Sequence, residues 1–236
     1  MRKLTILTAL AFVIAACALP ALADELILGS DGSVTFQGES TGFTMTNNSS
    51  VCPASPPFGP ASCIGSASTG GYDAPDGTEV FSGGAWDFSL TTLTFGNLSG
   101  FFYPVIGGNP SQFNFQGTNS AAPGTSSDYV NGTINWTHIA DTGTTTAQME
   151  GVLTISGSGG LLATDYPVND SVILDYTFNH LTAEISTLAG DPTATGTGGA
   201  ESGSVPSVPE VSSILLLGTG LLSAGTFVRL RRRRQS

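Results

Sequence analysis

Short apolar runs alternate with polar clusters through the middle of the chain, between two longer apolar segments near its ends. In the middle, clusters of Gly, Asn, Pro and Ser separate runs rich in β-branched and aromatic residues, which is typical of strands joined by turns. Alternation with a period of two is clearest in residues 112–116, 133–137 and 172–178, where large apolar side chains share one face. No helical period of useful length accompanies it. The pattern therefore predicts an all-β body.

Two neighbouring segments of this body, Thr133–Ile139 and Met149–Ser156, look like a hairpin in which Asp141, Thr142 and Gly143 supply the turn. Hairpins of this kind make a sheet mainly antiparallel, and many short strands favour a β-sandwich or jelly roll. We predict that fold. The predicted strands are Leu26–Leu28, Ser33–Gln37, Gly42–Thr46, Ala85–Phe95, Phe101–Ile106, Gln112–Gln116, Tyr129–Ile139, Thr146–Ser156, Ser171–Phe178 and Leu181–Leu188.

The N-terminal apolar segment has the features of a secretory signal. A short cationic start precedes an apolar run of 13 residues, Leu4–Ala16. Ala21 and Ala23 then place small residues at the two positions that a signal peptidase reads. Residues 1–23 are therefore predicted to be a signal peptide that directs export through the Sec translocon and is cut before Asp24.

Two other interpretations of this segment stay open. The stretch Ile14–Cys17 resembles a lipobox, in which Cys17 would receive a lipid and become the first mature residue. An uncleaved membrane helix is the second, although 13 apolar residues fall short of the roughly 20 that span a bilayer.

The C-terminal apolar segment predicts a single transmembrane helix. Residues 211–228 form an uncharged stretch of 18 residues, which just suffices to cross a hydrocarbon core. The positive-inside rule keeps a following arginine cluster in the cytoplasm, so the body is expected on the outside. The arginines are Arg229, Arg231, Arg232, Arg233 and Arg234.

Charge is segregated along the chain. All seven Lys and Arg residues lie in the two terminal segments, whereas all 18 carboxylates fall between Asp24 and Glu210. Contacts to phosphates need cationic side chains, so this body is not expected to bind nucleic acid or an anionic lipid surface. Salt bridges with Lys or Arg within the body are excluded for the same reason.

The tail also carries a short motif ahead of its apolar span. The residues of the motif are Val208, Pro209, Glu210, Ser212 and Ser213. The tail has the order motif, apolar span and terminal arginines, and residues 208–236 resemble the PEP-CTERM sorting signal of Gram-negative bacteria. The resemblance implies that an exosortase recognises the motif, removes the span and sends the protein to the cell surface or extracellular matrix.

The motif departs from the family at one position. Val211 stands where the family usually has a second Pro. The resemblance covers the tail alone, so it gives a destination and no biochemical activity for the body.

The stretch ahead of the tail, residues 191–207, is rich in Gly, Ser, Thr and Pro and shows no apolar period, so it predicts an extended linker. The predicted organisation is a signal peptide (1–23), a β-sandwich body (24–190), the linker (191–207) and the sorting tail (208–236).

Cys52 and Cys63 remain once the signal peptide is removed, 11 positions apart in a Pro-rich stretch. Export to an oxidising compartment favours a disulfide between them. A zinc site is the alternative, but further Cys or His ligands are missing nearby.

Three carboxylates, Asp73, Asp76 and Glu79, crowd a turn-prone loop and are weak candidates for calcium, whose preferred ligands are oxygens. Their spacing matches neither an EF-hand nor a repeat-in-toxin loop, so a plain acidic loop is the alternative. No other metal or cofactor is predicted.

Catalytic motifs of the common hydrolases and phosphate loops are missing from the sequence. His138 and His180 are interpreted as polar strand or turn residues. A pair of acids could still act on glycosides, and the candidates are Glu150, Asp165, Asp170, Asp175 and Glu184. Nothing in their spacing favours this over a solvated face, so no catalytic residue is assigned and the protein is predicted not to be an enzyme.

The sequence therefore predicts an exported surface or matrix protein with a structural, adhesive or exopolysaccharide-associated role. It would be anchored in the inner membrane as a precursor, with an exosortase, the Sec translocon, signal peptidase and exopolysaccharide as its partners. An extracellular carbohydrate-binding module or glycoside hydrolase is the alternative, with Trp86, Tyr103 or Trp136 stacking on sugar rings.

Overall fold

Alternation of buried and exposed side chains defines the strands in a computed structural model of the chain, which describes residues 25–29, 32–48, 63–73, 79–90, 92–117 and 128–207. Strand β11 is typical, because Val172, Leu174, Tyr176 and Phe178 are buried while the residues between them face outward. A period of two places these side chains on one face of a sheet.

Twelve strands are described. They are β1 (Glu25–Leu28), β2 (Ser33–Gly38), β3 (Phe43–Asn47), β4 (Cys63–Asp73), β5 (Glu79–Ser89), β6 (Thr92–Phe95), β7 (Tyr103–Gly107), β8 (Ser111–Gln116), β9 (Tyr129–Gly143), β10 (Thr146–Gly159), β11 (Ser171–Asn179) and β12 (Thr195–Pro206). Two helices of four residues each, α1 (Leu162–Asp165) and α2 (Ile185–Leu188), lie in connections.

Hydrogen bonds join these strands into one sheet with the order β1-β4-β5-β8-β9-β10-β11-β12-β2-β3-β6-β7. The described pairings are antiparallel, which confirms the all-β, mainly antiparallel prediction. Two further pairings, β1 with β12 and β7 with β9, close the sheet into two circuits that share β9, β10, β11 and β12.

The predicted hairpin is confirmed as β9 and β10, in which Ile139 is paired with Met149. Its turn is displaced from the prediction. Residues 141–143 are still in β9, and Thr144 and Thr145 form the two-residue connection.

Two strand predictions are corrected. The segment Ala85–Phe95 divides between β5 and β6 rather than forming one strand. The segment Leu181–Leu188 contains helix α2, whose Ile185 and Leu188 are buried at the helical spacing of three. Strand β4 has no counterpart in the predictions, because its Gly and Ser residues hide the apolar alternation.

The linker prediction is wrong for residues 195–206, which form β12. This strand pairs with β11 on one edge and with both β2 and β1 on the other. Its glycines make room for large neighbours: a Cβ on Gly203 would lie 2.4 Å from Tyr176 Cδ2, and one on Gly198 would lie 2.6 Å from Leu181 Cδ2. Small residues are therefore a packing requirement here rather than a sign of a flexible linker.

Aromatic rings form much of the core across both circuits. Trp86 lies 5.8 Å from Tyr176, which lies 5.4 Å from Phe178, measured between ring centroids. Phe178 contacts Phe36 at 6.3 Å in an edge arrangement, and Phe43 stacks on Phe95 at 4.7 Å. Such ring pairs add to the hydrophobic stabilisation. One cluster of buried residues accordingly includes members of most strands.

The predicted signal peptide, sorting motif, membrane span and arginine cluster lie outside the described residues. Within the described ranges, neither helix has the length and apolar character that a membrane crossing needs.

Candidate functional site

A tight turn connects β6 to β7 and points apolar side chains into solvent. The Ser99 N–H donates to the Phe102 carbonyl at 2.9 Å, and the Gly96 N–H donates to the Pro104 carbonyl at 2.8 Å. Gly100 has a φ of +70°, whereas Phe101 does not have a positive φ. This combination is that of a type II′ turn, in which glycine is favoured at the first central position. The backbone thus fixes Phe101 at the tip.

Four large apolar side chains on this connection and on the strand that follows it, β7, are exposed. Phe101 is 94% exposed, Ile106 65%, Leu98 57% and Phe102 39%. We call these four residues the apolar hairpin. Exposed apolar side chains scattered singly are ordinary, but a group on one ordered element is typical of an interaction site.

A β-bulge next to the apolar hairpin brings polar side chains into line on the outer face of the sheet. His138 of β9 is paired with Glu150 of β10, but the next pair is Trp136 with Gly151, so Thr137 is the extra residue. The Thr137 hydroxyl donates to the Glu150 carbonyl at 2.9 Å and lies 2.9 Å from His138 Nδ1. The bulge turns His138 outward while Trp136 and Ile139 remain buried.

Asp175 of β11 is paired with Glu150 on its other side. Asp175 and Glu150 each lie between buried neighbours on their strands, so both carboxylates face outward. We call His138, Glu150 and Asp175 the outer row. With Pro104, which is paired with His138, the row crosses four strands and measures about 14 Å at the usual strand spacing.

Burial, followed by the charge of Glu150, raises the pKa of the Asp175 carboxyl, while His138 and a hydrogen bond from Gln148 act in the opposite direction. Two like charges directly opposite each other destabilise a sheet. A partner that donates hydrogen bonds to these carboxylate oxygens would therefore stabilise the outer row.

The apolar hairpin and the outer row meet at His138, whose ring centroid lies 4.6 Å from that of Phe102. Together they form one surface with apolar rings at one end and hydrogen-bond acceptors at the other. Such a surface suits a partner that has both apolar faces and hydroxyl groups.

The aromatic residues predicted to stack on sugars are buried, which corrects that assignment. Trp86, Tyr103 and Trp136 are at most 4% exposed. The Trp86 indole N–H donates to Thr69 Oγ1 at 3.1 Å and that of Trp136 donates to Ser111 Oγ at 3.0 Å. Burial, followed by the charge of Asp141, raises the pKa of Tyr103. These rings belong to the core.

Of the five candidate acids, the strand pairing brings Glu150 and Asp175 together. Asp165 accepts a hydrogen bond from the Tyr72 hydroxyl at 2.6 Å. Glu184 accepts one from Ser186 at 3.3 Å. Asp170 lies in the connection between β10 and β11, where its carbonyl accepts from the Ile155 N–H.

The two histidines have different settings. His138 belongs to the outer row, whereas His180 is exposed just after β11, with a φ of +51°. His180 is thus a turn residue, as predicted.

The calcium and disulfide candidates fall partly outside the described residues. Asp73 of β4 is paired with Glu79 of β5, but Asp76 is not described. Cys63 is buried at the start of β4 and Cys52 is not described, so their disulfide stays a prediction. Within the described ranges, no three His, Cys, Asp or Glu side chains are arranged to hold a metal ion.

The sequence prediction missed Phe101 and Phe102 as surface residues because it placed both in a strand. A signal was present: Gly100 directly precedes the apolar residues 101–106, at the position where a type II′ turn favours glycine. Together, the fold and the site define this class of protein: an antiparallel all-β protein with an acidic, partly aromatic outer surface. No family model matches the chain, and no curated protein or solved structure is detectably similar to it.

Proposed function

We propose that this chain is an exported, non-enzymatic protein of the bacterial surface or extracellular matrix, with an adhesive or structural role. The observation that carries the proposal is the segregation of charge. Every Lys and Arg lies in the two terminal segments. Apart from two histidines, the acidic and basic side chains of the body between them are all carboxylates. Cationic flanks beside apolar segments are export and topology signals.

The arrangement of the body supports this proposal. Strand β1 begins at Glu25, one residue after the predicted cut before Asp24, so cutting there leaves the strand whole. The antiparallel sheet of the described residues, closed into two circuits, suits the all-β body expected of such a protein. Its core is held together by apolar and aromatic packing, which does not depend on ion pairs with Lys or Arg.

The tail gives the destination. Residues 208–236 resemble the PEP-CTERM signal, so an exosortase would remove the span and release the body to the surface or the exopolysaccharide layer. Before that step the precursor would be anchored in the inner membrane.

Mass spectrometry of the mature protein from its host, combined with cell fractionation, tests this proposal. We expect an N-terminus at Asp24, a C-terminus near Pro209, and recovery from the surface or matrix fraction. The variant Pro209→Ala with Glu210→Ala should accumulate as a membrane-bound precursor, whereas Ser207→Ala should be processed normally. Intact, folded protein in the cytosol would falsify the proposal.

An extracellular carbohydrate-active protein is the second candidate, and the pairing of Glu150 with Asp175 on an open face favours it. A reducing-sugar assay separates binding from hydrolysis. We expect no release of reducing ends by the intact protein. Release that Glu150→Gln abolishes would instead assign a glycoside hydrolase.

A further inference from the structure

We propose that the surface formed by the apolar hairpin and the outer row binds a neutral polysaccharide chain. This inference rests on the proposed function, because it names the surface by which an exported body would adhere to an exopolysaccharide layer. It differs from the sequence-based assignment, whose aromatic residues are buried.

The apolar hairpin supplies the stacking element. Phe101 is almost fully exposed, although burying such a side chain gains about 1.5–3 kcal/mol. The turn at Gly100 holds it in place, so little conformational entropy is lost when a ligand covers it. The C–H faces of a pyranose ring are apolar and match an exposed phenyl ring.

The outer row supplies hydrogen-bond acceptors. Glu150 and Asp175 offer carboxylate oxygens side by side, and the neighbouring Gln148 and Thr177 are paired with each other on the same strands. A ligand that satisfies these oxygens must donate hydrogen bonds. Sugar hydroxyls do so along the edge of the ring while its face remains free to stack.

Charge decides which polysaccharide fits. The described residues include no Lys or Arg, so a phosphate, sulfate or uronate group would meet carboxylates with no permanent cation to offset them. A neutral chain avoids this repulsion. Its hydroxyls can also donate hydrogen bonds to the two paired carboxylates, and such hydrogen bonds to charged acceptors are strong.

Geometry favours an extended chain over other partners. The outer row crosses adjacent strands of a sheet over about 14 Å, so a linear polymer can contact its whole length. A lipid bilayer would contact the tip at Phe101 and gain nothing from the acids. A cationic peptide would contact the acids and gain little from the tip.

Pull-down of the full-length protein, purified in detergent from an exporting host, tests the proposal. The probes are cellulose, a β-1,3-glucan and starch as neutral chains, alginate as an anionic chain, polylysine, and zwitterionic vesicles. The variants are Phe101→Ala and Glu150→Ala. Val168→Ala is the matched control, because Val168 is an exposed apolar residue in the connection between β10 and β11.

The expected result is binding to at least one neutral chain and not to alginate, with little change at about 0.5 M salt. Both Phe101→Ala and Glu150→Ala should weaken it by at least about tenfold, as for central contact residues, and Val168→Ala should not. The proposal is overturned by the absence of binding to every neutral chain or by wild-type binding of either variant. Binding to polylysine or to vesicles alone also overturns it.

The failure of this inference can be distinguished from failure of the proposed function. A protein that reaches the surface and binds no neutral chain contradicts the inference alone. A protein that stays in the cytosol contradicts the proposed function, whatever it binds in a purified state.

Discussion

The hydroxyl of Tyr166 joins the first and last strands of the body. It accepts a hydrogen bond from the Leu26 N–H at 3.1 Å and donates one to the Val205 carbonyl at 2.7 Å. Tyr166 is fully buried, and Leu26 and Val205 are themselves paired between β1 and β12. A single side chain thus satisfies backbone groups on two strands that are far apart in sequence.

We expect Tyr166→Phe to lower the free energy of unfolding by about 1–3 kcal/mol, because it leaves buried backbone groups without their partner. Urea unfolding followed by the fluorescence of the two buried tryptophans measures this change. Tyr129→Phe is the control, since Tyr129 is 36% exposed and should change little. Equal stability of the two variants would contradict the role given to Tyr166.

Asp175 should make stability depend on pH. Its folded pKa is raised from the ordinary 3.8, mainly by burial and by Glu150. An acid with a raised folded pKa binds its proton more tightly when folded, so its contribution is favourable at low pH and is lost as pH rises through the folded pKa. Asp175→Asn should therefore raise the unfolding midpoint at pH 7 and have no such effect below pH 3.8.

Asp191 provides a control of opposite sign. Hydrogen bonds from Thr193 lower its pKa, so its contribution is present at neutral pH and is lost in acid. Asp191→Asn should lower the midpoint at pH 7, with the difference vanishing at low pH. Differences that stay constant from pH 3 to 7 for both variants would show that these assignments are wrong.

Strand β12 shows at the scale of the element what apolar periodicity can and cannot reveal. Strands with large alternating residues, such as β8 and β11, were predicted to within one residue. In β12 the buried positions are Gly196, Gly198, Ala200 and Val205, and of these Val205 alone carries a clear apolar signal. The burial there comes from side chains of neighbouring strands, so sequence alone could not reveal it. The outer row could not be predicted for a related reason. Its side chains lie on different strands, and the register between those strands determines which of them are neighbours.

We expect Gly203→Ala to destabilise the fold by about 1–3 kcal/mol through overpacking, because the added Cβ would lie 2.4 Å from Tyr176 Cδ2 and 2.7 Å from the Asp175 carbonyl oxygen. Gly157→Ala in β10 is the matched control, since its Cβ would meet Tyr129 at 3.6 Å, an ordinary contact. Thermal unfolding of both variants tests the difference. If Gly203→Ala is as stable as Gly157→Ala, β12 does not require small residues.

We also expect a chain of residues 24–207 to fold and a chain of residues 24–190 to fail. The shorter chain has no β12, so β11, β2 and β1 each lose a partner strand. Circular dichroism and limited proteolysis distinguish a folded from an unfolded chain. Cooperative unfolding of the shorter chain would restore the linker interpretation.

At the scale of the whole molecule, the body ends close in sequence to the motif of the tail. Four residues, 207–210, separate the end of β12 from the predicted span. Even fully extended they reach about 14 Å. An enzyme that recognises Pro209 and Glu210 must therefore act beside a folded strand.

We expect an insertion of about ten Gly and Ser residues, a length that makes a flexible linker, after Ser207 to speed removal of the tail. The same insertion between Thr144 and Thr145, in the hairpin turn, should leave the rate unchanged. Pulse-chase labelling of precursor and product in the native host measures both rates. Identical rates for the two insertions would show that the short connection does not limit processing.

The position of β12 also bears on when the protein is able to fold. The last of the described strands is hydrogen-bonded to β11, β2 and β1, so one native pairing of each of the two earliest strands waits for the final part of the body. Contacts between distant parts of a chain form slowly. On the proposed export route, a nascent chain with this topology would remain able to pass through the translocon until nearly all of it has entered, so late closure would protect it from folding prematurely in the cytosol.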